Sequence, residues 1–310
     1  MILNPAAGPR DFHRQLNTAI EHLRTHGWEV ELRKTTEKGD ATRIARQTAE
    51  AGCDVAIAVG GDGTINEVVN GLAGSDTAMG IIPAGTANVY AVDVGIPIWS
   101  PLRPNAVRIA AEIIRDGRRK RVDLGQIQLA NGQQRYFFMW CGVGLDAAIS
   151  QEVRNEDTRR LGVVAWAIAG VMVAFNFMGT PGNVIIDSQR ERKRVLWAVF
   201  SNGQLYGRLW RIAPEARMND GILDLTVFEG YGVPSTIRHL ASLTVGQYAR
   251  DPTVHFYRGS SFVIQTRKPL PVHVDAEPVG TTPVKIKIVP RSLNVILPPK
   301  FPDHLFLKEN

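Results

Sequence analysis

The chain has 310 residues, enough for two domains at one to two hundred residues each, and 44% of them are apolar, ample for packed cores. A charged fraction of 21% with 7% aromatics and no long polar tract excludes a disordered, low-complexity or collagen-like chain. The formal charge of +6 is carried by clusters such as Arg118-Arg119-Lys120-Arg121 and Arg190-Glu191-Arg192-Lys193-Arg194, which suit an anionic surface or a phosphate-bearing substrate as well as they suit solvated loops.

The first hundred residues alternate short apolar runs with helix-period segments, the pattern of a parallel sheet flanked by helices. Met1-Ile2-Leu3-Asn4-Pro5 is too short for a signal-peptide core, so a cytoplasmic location is expected. Phe12, Leu16, Ile20 and Leu23 are spaced by four, four and three, one apolar helix face that ends before Gly27, and residues 28–32 then alternate as a strand. Gly39-Asp40-Ala41 opens a second helix running to about Gly52, residues 54–59 form a buried strand, and Gly60-Gly61-Asp62-Gly63-Thr64 turns into a third helix at about Ile65. Residues 78–82 supply the next strand, Pro83-Ala84-Gly85-Thr86-Ala87-Asn88 leads into another helix, and residues 106–114 form one more. Ligands of an open parallel sheet bind beyond the carboxyl ends of its strands, where both glycine-containing turns are expected.

Beyond about Asp123 the texture becomes β-rich, with strands expected at 126–129, 136–141, 184–187, 195–200, 221–228, 262–266, 271–275 and 284–288 and helices at 161–178 and 234–244. The fold class expected is an α/β N-terminal domain with a parallel sheet, residues 1–123, and a β-rich, antiparallel sandwich-like C-terminal domain, residues 124–296. Residues 161–178 are almost wholly apolar and near the length of a membrane span, but their alanines, glycines and Asn176 favour a buried core helix, or one that lines a lipid pocket or touches a membrane surface. Cys53 and Cys141 lie beside apolar segments without ligand spacing and are expected to be buried, reduced thiols. His22 and His26 have a zinc-like spacing but no third ligand and are read as surface residues.

A strand ending in Gly60-Gly61-Asp62-Gly63 and followed by Thr64 and a helix gathers backbone amides at a helix N-terminus with no Cβ atoms in the way, a concavity that binds phosphate. Asp62 would repel a bare phosphate, so glycines plus an acid suggest a nucleotide with a metal ion; a tight turn with Asp62 as an exposed cap is the alternative. The spacing is neither GxGxxG nor a Walker loop, which disfavours a dinucleotide dehydrogenase and a P-loop enzyme. Far downstream, Asp275 and Glu277 would share a strand face, and one of them could accept a proton from a substrate hydroxyl. Residues 219–224 offer a turn whose Asp and carbonyl oxygens could hold a hard cation or simply close a hairpin.

Asn4-Pro5-Ala6-Ala7-Gly8, GGDGTINEVVNGL at 60–72, GIIPAGTANVYA at 80–91, CGVGLDA at 141–147, NDGILDL at 219–225 and VDAEP at 274–278 occur in the order of the diacylglycerol kinase catalytic-domain family. The chain resembles its bacterial lipid kinases, which are related to sphingosine and ceramide kinases. The resemblance implies a nucleotide-binding first domain, a lipid-binding second domain and a C-terminal segment, 297–310, that returns to the first. It further implies that ATP and Mg²⁺ are used and that a lipid hydroxyl, of a diacylglycerol-like or sphingoid lipid at a membrane surface, is phosphorylated. By position, Thr35, Gly60, Gly61, Asp62, Gly63, Thr64, Ile65, Asn66 and Thr86 correspond to nucleotide contacts. Arg217 and Ile222 through their carbonyls and Asp220 through its side chain correspond to the magnesium site, with Asp62 and Glu277 as catalytic carboxylates and Glu277 as the general base.

A cytoplasmic protein attached peripherally to a membrane follows, with no nucleic-acid partner and with the oligomeric state open, a homodimer included. A kinase of a soluble metabolite such as NAD and a silent nucleotide- or lipid-binding module are the alternatives. Two departures stand out: Val89 replaces the family's usual acid after Asn88, and Ala276 replaces the usual glycine of VDGEP, a change that extended backbone would tolerate.

Overall fold

The computed structural model describes residues 1–8, 10–153, 173, 176–208 and 210–307. The helix expected at 161–178 lies outside the described residues apart from 173 and 176–178. Among the described residues no helix is long and apolar enough to cross a membrane. The chain divides into two compact units, Met1–Leu124 with Arg217–Asp220 and Pro290–Asn310, and Gly125–Ala216 with Gly221–Val289.

The first unit is built on β1 (Ile2–Leu3), α1 (Arg10–Thr25), β2 (Arg33–Lys34), α2 (Asp40–Glu50), β3 (Val55–Gly60), α3 (Asp62–Leu72), β4 (Ala78–Pro83), α4 (Val89–Val94) and α5 (Ala106–Asp116). Its strands pair in parallel, β2 on β1, β1 on β3 and β3 on β4, with Asn294 and Val295 of a later strand pairing in parallel beyond β4. The central strands are buried along most of their length, as a parallel sheet covered on both faces requires. Phe12, Leu16, Ile20 and Leu23 do form the buried face of α1. The strand expected at 28–32 is absent: only Arg33 and Lys34 pair, because their partner β1 is two residues long. Asp54 precedes rather than begins β3, whereas α3 begins three residues earlier than expected, at Asp62.

Two of the boundaries between the units fall within β5 (Arg118–Leu129) and within β17 (Val284–Leu297), and the other two flank residues 217–220. The second unit adds β6 (Gln134–Phe137), β7 (Trp140–Gly144), α6 (Leu145–Val153), β8 (Thr180–Ile186), β9 (Gln189–Ser201), β10 (Leu205–Tyr206), β11 (Trp210–Arg211), β12 (Leu223–Glu229), α7 (Gly232–Thr244), β13 (Val254–Gly259), β14 (Ser261–Thr266), β15 (Pro271–Val274) and β16 (Glu277–Thr281). Its pairings are antiparallel, β15 on β7, β7 on β9, β9 on β8 and β12, and β8 on β14. Cys141, Val195, Phe200, Leu225, Phe262 and Val274 belong to one hydrophobic core cluster.

Cys141 is buried and Cys53 is exposed, both as free thiols. The expectation for Cys53 is corrected because it sits in the loop after Gly52, whose φ of 71° turns the chain out of α2. The strand expected at 136–141 is broken after Phe137, since the amides of Phe138, Met139 and Trp140 turn to a carboxylate.

Candidate active site

In the first unit β3 and β4 are in register, Gly60 opposite Pro83, so the two glycine loops leave the sheet side by side. The Ala84 amide donates to the Gly60 carbonyl at 2.9 Å, and a Cβ built on Gly85 would lie 2.4 Å from the Gly61 Cα. These glycines are therefore needed for one loop to cross the other, in addition to any ligand they admit. Asp62 Oδ1 accepts the Val89 amide at 2.8 Å, which ties the start of α3 to the start of α4. Asn88, left-handed at φ 47° and fully buried, closes its own loop by accepting the Gly85 amide at 2.9 Å and donating to the Gly85 carbonyl at 2.6 Å.

Because β3 ends at Gly60 and α3 starts at Asp62, Gly63, Thr64, Ile65 and Asn66 belong to the first turns of α3, and only Gly61 lies between strand and helix. The first amides of a helix have no intrahelical acceptor and face outward with the positive end of its dipole, an anion site by construction. The Ile65 amide donates to the Gly61 carbonyl at 3.0 Å, and the side chains of Ile65 and Asn66 are buried in the packing of α3. Asn4 Nδ2 donates to Thr64 Oγ1 at 3.3 Å, placing the Asn4-Pro5-Ala6 turn beside the same helix end. Thr35 is half-buried at the end of β2, its amide donating to the Leu3 carbonyl at 2.9 Å, and Thr86 is exposed between β4 and α4.

Glu67 acts elsewhere than at the loop. Its two carboxylate oxygens accept the amides of Gly39 at 3.0 Å and Ala41 at 3.1 Å, capping the N-terminus of α2 from the neighbouring helix. Asp40, at the start of α2, gathers the turn before it: Thr36 donates to it through its hydroxyl at 2.6 Å and its amide at 2.8 Å, and Arg43 through its guanidinium at 2.6 Å. The Thr36 hydroxyl first, then Arg43, hold the Asp40 carboxyl well below the usual carboxylate range.

Arg217 and Asp220 belong to the first unit and Ile222 to the second. The segment holding the first two is pinned through the Met218 amide, which donates to the Leu305 carbonyl at 2.9 Å, and through Asn219 Oδ1, which accepts the Leu307 amide at 2.6 Å. Arg217 is exposed and Asp220 and Ile222 are half-buried, with a left-handed Gly221 between the last two. In chemistry, a carboxylate and main-chain carbonyls are the hard oxygen donors that suit Mg²⁺ retaining several waters. Among the described residues there is no cluster of three His, Cys, Asp or Glu side chains suited to a metal ion.

In the second unit Asp275 and Glu277 do not share a strand face. Asp275 and Ala276, at φ 45° and 66°, form the two-residue turn of the hairpin joining β15 to β16, in which Val274 pairs with Glu277. The backbone at Ala276 is therefore not extended, so the condition for tolerating alanine in place of the usual glycine is not met: a glycine would sit here without strain. Asp275 is buried and accepts three successive amides, Phe138 at 2.7 Å, Met139 at 2.9 Å and Trp140 at 3.1 Å, so its carboxylate anchors the turn. Glu277 is buried too, with Oε2 2.5 Å from an Arg135 Nη atom, an ion pair that fixes the direction of the carboxylate.

Behind this hairpin lies a network of three more side chains. The Ala276 amide donates to His273 Nδ1 at 3.2 Å, which leaves the ring proton on Nε2, donated to Asp146 Oδ2 at 2.9 Å. The Tyr206 hydroxyl donates to the same oxygen at 2.6 Å, and Asp146 Oδ1 accepts the Ala147 amide at 2.7 Å. Burial, with Asp146 beside it, pushes the Tyr206 hydroxyl well above its usual range, so it remains a donor. A Cβ on Gly142 would lie 2.0 Å from Asp146 Oδ2 and 2.3 Å from His273 Nε2, which explains the glycine in Cys141-Gly142-Val143-Gly144. Asp146 lay in a quoted motif and His273 beside another, but Arg135 carried no pattern that could have singled it out.

The model of the diacylglycerol kinase catalytic domain matches residues 1–127, and that of the YegS C-terminal NAD kinase beta sandwich-like domain matches residues 140–297. A probable lipid kinase YegS from Escherichia fergusonii is 30% identical over 307 residues, covering 97% of this chain and 96% of the relative. The chain belongs to the diacylglycerol kinase catalytic-domain family. It is an enzyme, a lipid kinase in its family assignment, with an α/β first part and a β-rich second part. A diacylglycerol kinase from Bacillus subtilis (strain 168) is 28% identical over 300 residues, 96% of this chain and 95% of that one. A solved diacylglycerol kinase structure from Bacillus anthracis str. Sterne shares the fold at a TM-score of 0.72 and 23% identity, covering 96% of both chains.

Proposed function

We propose that the chain transfers the γ-phosphoryl group of ATP, with Mg²⁺, to a hydroxyl of a diacylglycerol-like or sphingoid lipid. The relatives named diacylglycerol kinase support the acceptor class, and the crossed glycine loops at the head of α3 support the donor. The observation that carries the reading is Glu277, a buried carboxylate held by Arg135 at the end of a hairpin whose turn is anchored by three backbone amides. In this reading the first unit binds the nucleotide and the second the lipid.

The amides at the start of α3, with Gly60, Gly61, Thr35 and Thr86 around them, take the phosphates, and Asp220 with the carbonyls of Arg217 and Ile222 would hold the cation. When bound, Mg²⁺ supplies neutralisation of the phosphate charge. Glu277 takes the proton of the lipid hydroxyl as its oxygen bonds to the γ-phosphorus; the bond to the bridging oxygen breaks and ADP leaves with the electron pair. Phosphoryl transfer asks a protein chiefly for positioning and charge, and both are supplied by groups already fixed in place. Asp62 orients the joint between the two loops through Val89, whose contribution at this position is an amide rather than an acid.

With a diacylglycerol dispersed in detergent, Glu277→Ala and Asp62→Ala should each lower kcat at least about a hundredfold while circular dichroism stays that of the wild type. Near-normal turnover of either variant would withdraw the role given to that residue.

A further inference from the structure

Helix α7 turns apolar side chains toward water. It buries Thr236, His239 and Leu243, whereas Ile237, 61% exposed, Leu240 and, just past its end, Val245, 66% exposed, lie on the other side. Ile237, Ala241 and Val245 are spaced by four and Leu240 by three from Ile237, so they line one stripe. Tyr231, 58% exposed, precedes the helix, the sulfur of Met178 lies beside Gly232, and Phe256 packs near Tyr248 in the turn that follows. Six of the nine exposed large hydrophobic residues among the described residues thus gather on or beside one helix, the mark of a surface with a partner.

Part of the second unit's sheet is basic on the side away from its core. On β9, Arg190, Arg192 and Arg194 alternate on the side opposite the core, paired with Ile185, Asn183 and Pro181 of β8. The same side continues through Val263 and Gln265 of β14 to Lys285 and Lys287 of β17, with Arg267 just beyond β14. None of these strand positions is acidic. The guanidinium groups of Arg192 and Arg267 make no hydrogen bond or ion pair among the described residues, and an open groove of about 530 Å³ runs between the arginines.

Helix and basic face look the same way. Val195 pairs with Glu229 and Trp197 with Phe228, so Leu196 is an extra residue that reverses the alternation of β9. Trp197 therefore lies on the side of the arginines, and it stacks on Phe228 at 4.5 Å, against which His239 of α7 packs at 5.2 Å. The Arg194 guanidinium sits 5.4 Å from the centre of the Tyr231 ring and joins the two features into one surface.

We propose that this side of the second unit seats on an anionic lipid bilayer. Ile237, Leu240, Val245 and Tyr231 enter the boundary between headgroups and acyl chains, and Arg190, Arg192, Arg194, Arg267, Lys285 and Lys287 meet the phosphates. An apolar ridge bordered by cations that have no carboxylate partner among the described residues, Arg190 being bonded to Asn183 and Arg194 to the Gly179 carbonyl, complements such an interface in both hydrophobicity and charge. The inference rests on the lipid-kinase reading for the choice of a bilayer, since the acceptor resides there.

Purified full-length protein is sedimented with phosphatidylcholine vesicles made with and without phosphatidylglycerol, and turnover is measured separately on a short-chain, water-dispersed diacylglycerol. The wild type should sediment with the anionic vesicles. Arg192→Ala with Arg267→Ala should weaken that binding about fivefold per lost cation, and Ile237→Ser with Val245→Ser by about tenfold or more. Both double variants should keep the wild-type melting temperature and short-chain turnover. Wild-type binding by either variant, or background sedimentation of the wild type, as a face built for an acidic protein would give, overturns the proposal. Absence of turnover on the short-chain lipid would instead overturn the lipid-kinase reading and leave the sedimentation result to be read by itself.

Discussion

Replacing Ala276 by glycine tests whether the hairpin that carries Glu277 is strained. Ala276 has a φ of 66°, and its amide donates to His273 while its neighbour Asp275 holds three amides, so the turn cannot relax without breaking those bonds. A left-handed conformation costs a non-glycine residue roughly 1–2 kcal/mol. The extra freedom of glycine in the unfolded chain offsets about 0.4–1 kcal/mol of the relief. Ala276→Gly should therefore stabilise the second unit by on the order of 1 kcal/mol, about 2–4 °C in its melting midpoint. Ala276→Val should melt lower than the wild type, since a β-branched residue is a true outlier at positive φ. Scanning calorimetry of the three proteins measures this, with turnover recorded in parallel; the glycine variant keeps wild-type turnover because Arg135 still holds Glu277. A glycine variant that melts below the wild type, or a valine variant that melts with it, would refute the reasoning.

Three further outcomes are expected. Gly85→Ala places a methyl group against the Gly61 backbone and should cost about 1–3 kcal/mol, with weaker nucleotide binding by calorimetry. Arg135→Met leaves a buried carboxylate without its cation and should lower kcat far more than it changes KM, with Arg135→Lys recovering part of the loss. Asp40 stays ionised in the folded chain to a pH below its ordinary value of 3.8, so the stability it contributes is complete above that pH and is lost as the pH falls beneath it. Asp40→Asn should accordingly melt lower than the wild type near neutrality, with the gap closing in acid.

The parallel sheet of the first unit was readable because residues 55–59 and 78–82 are continuous apolar runs between helix-period segments. The strand expected at 28–32 failed because alternation describes a strand's faces and says nothing of whether a partner of equal length exists, and β1 is too short. The glycine loops were placed at the right end of the sheet, but their mutual contact, Gly61 against Gly85, is a property of two segments that no local pattern reports. Glu67 follows the glycine loop in the motif at 60–72 and caps a different helix, since a carboxylate goes to whichever unsatisfied amides lie nearest in space.

The same limit governs the acidic pair. Asp275 and Glu277 two apart read as one strand face, yet Val274 and Glu277 pair directly, and the two residues between them have to be the turn. Glu277 could be singled out through its motif, while Arg135, 142 positions away in sequence, becomes visible only when β6 and β16 are folded. His273 and Asp146 were both within or beside quoted motifs, and what was missing was their contact, which the bare Cα of Gly142 makes possible.

The central claim, that a lipid hydroxyl receives the γ-phosphoryl group of ATP with Glu277 as the base, is tested most directly by incubating the protein with γ-labelled ATP, Mg²⁺ and diacylglycerol and extracting with organic solvent. The account predicts label in the organic phase for the wild type and its near absence for Glu277→Ala. Label confined to the aqueous phase for the wild type, or equal organic label for both proteins, would contradict it.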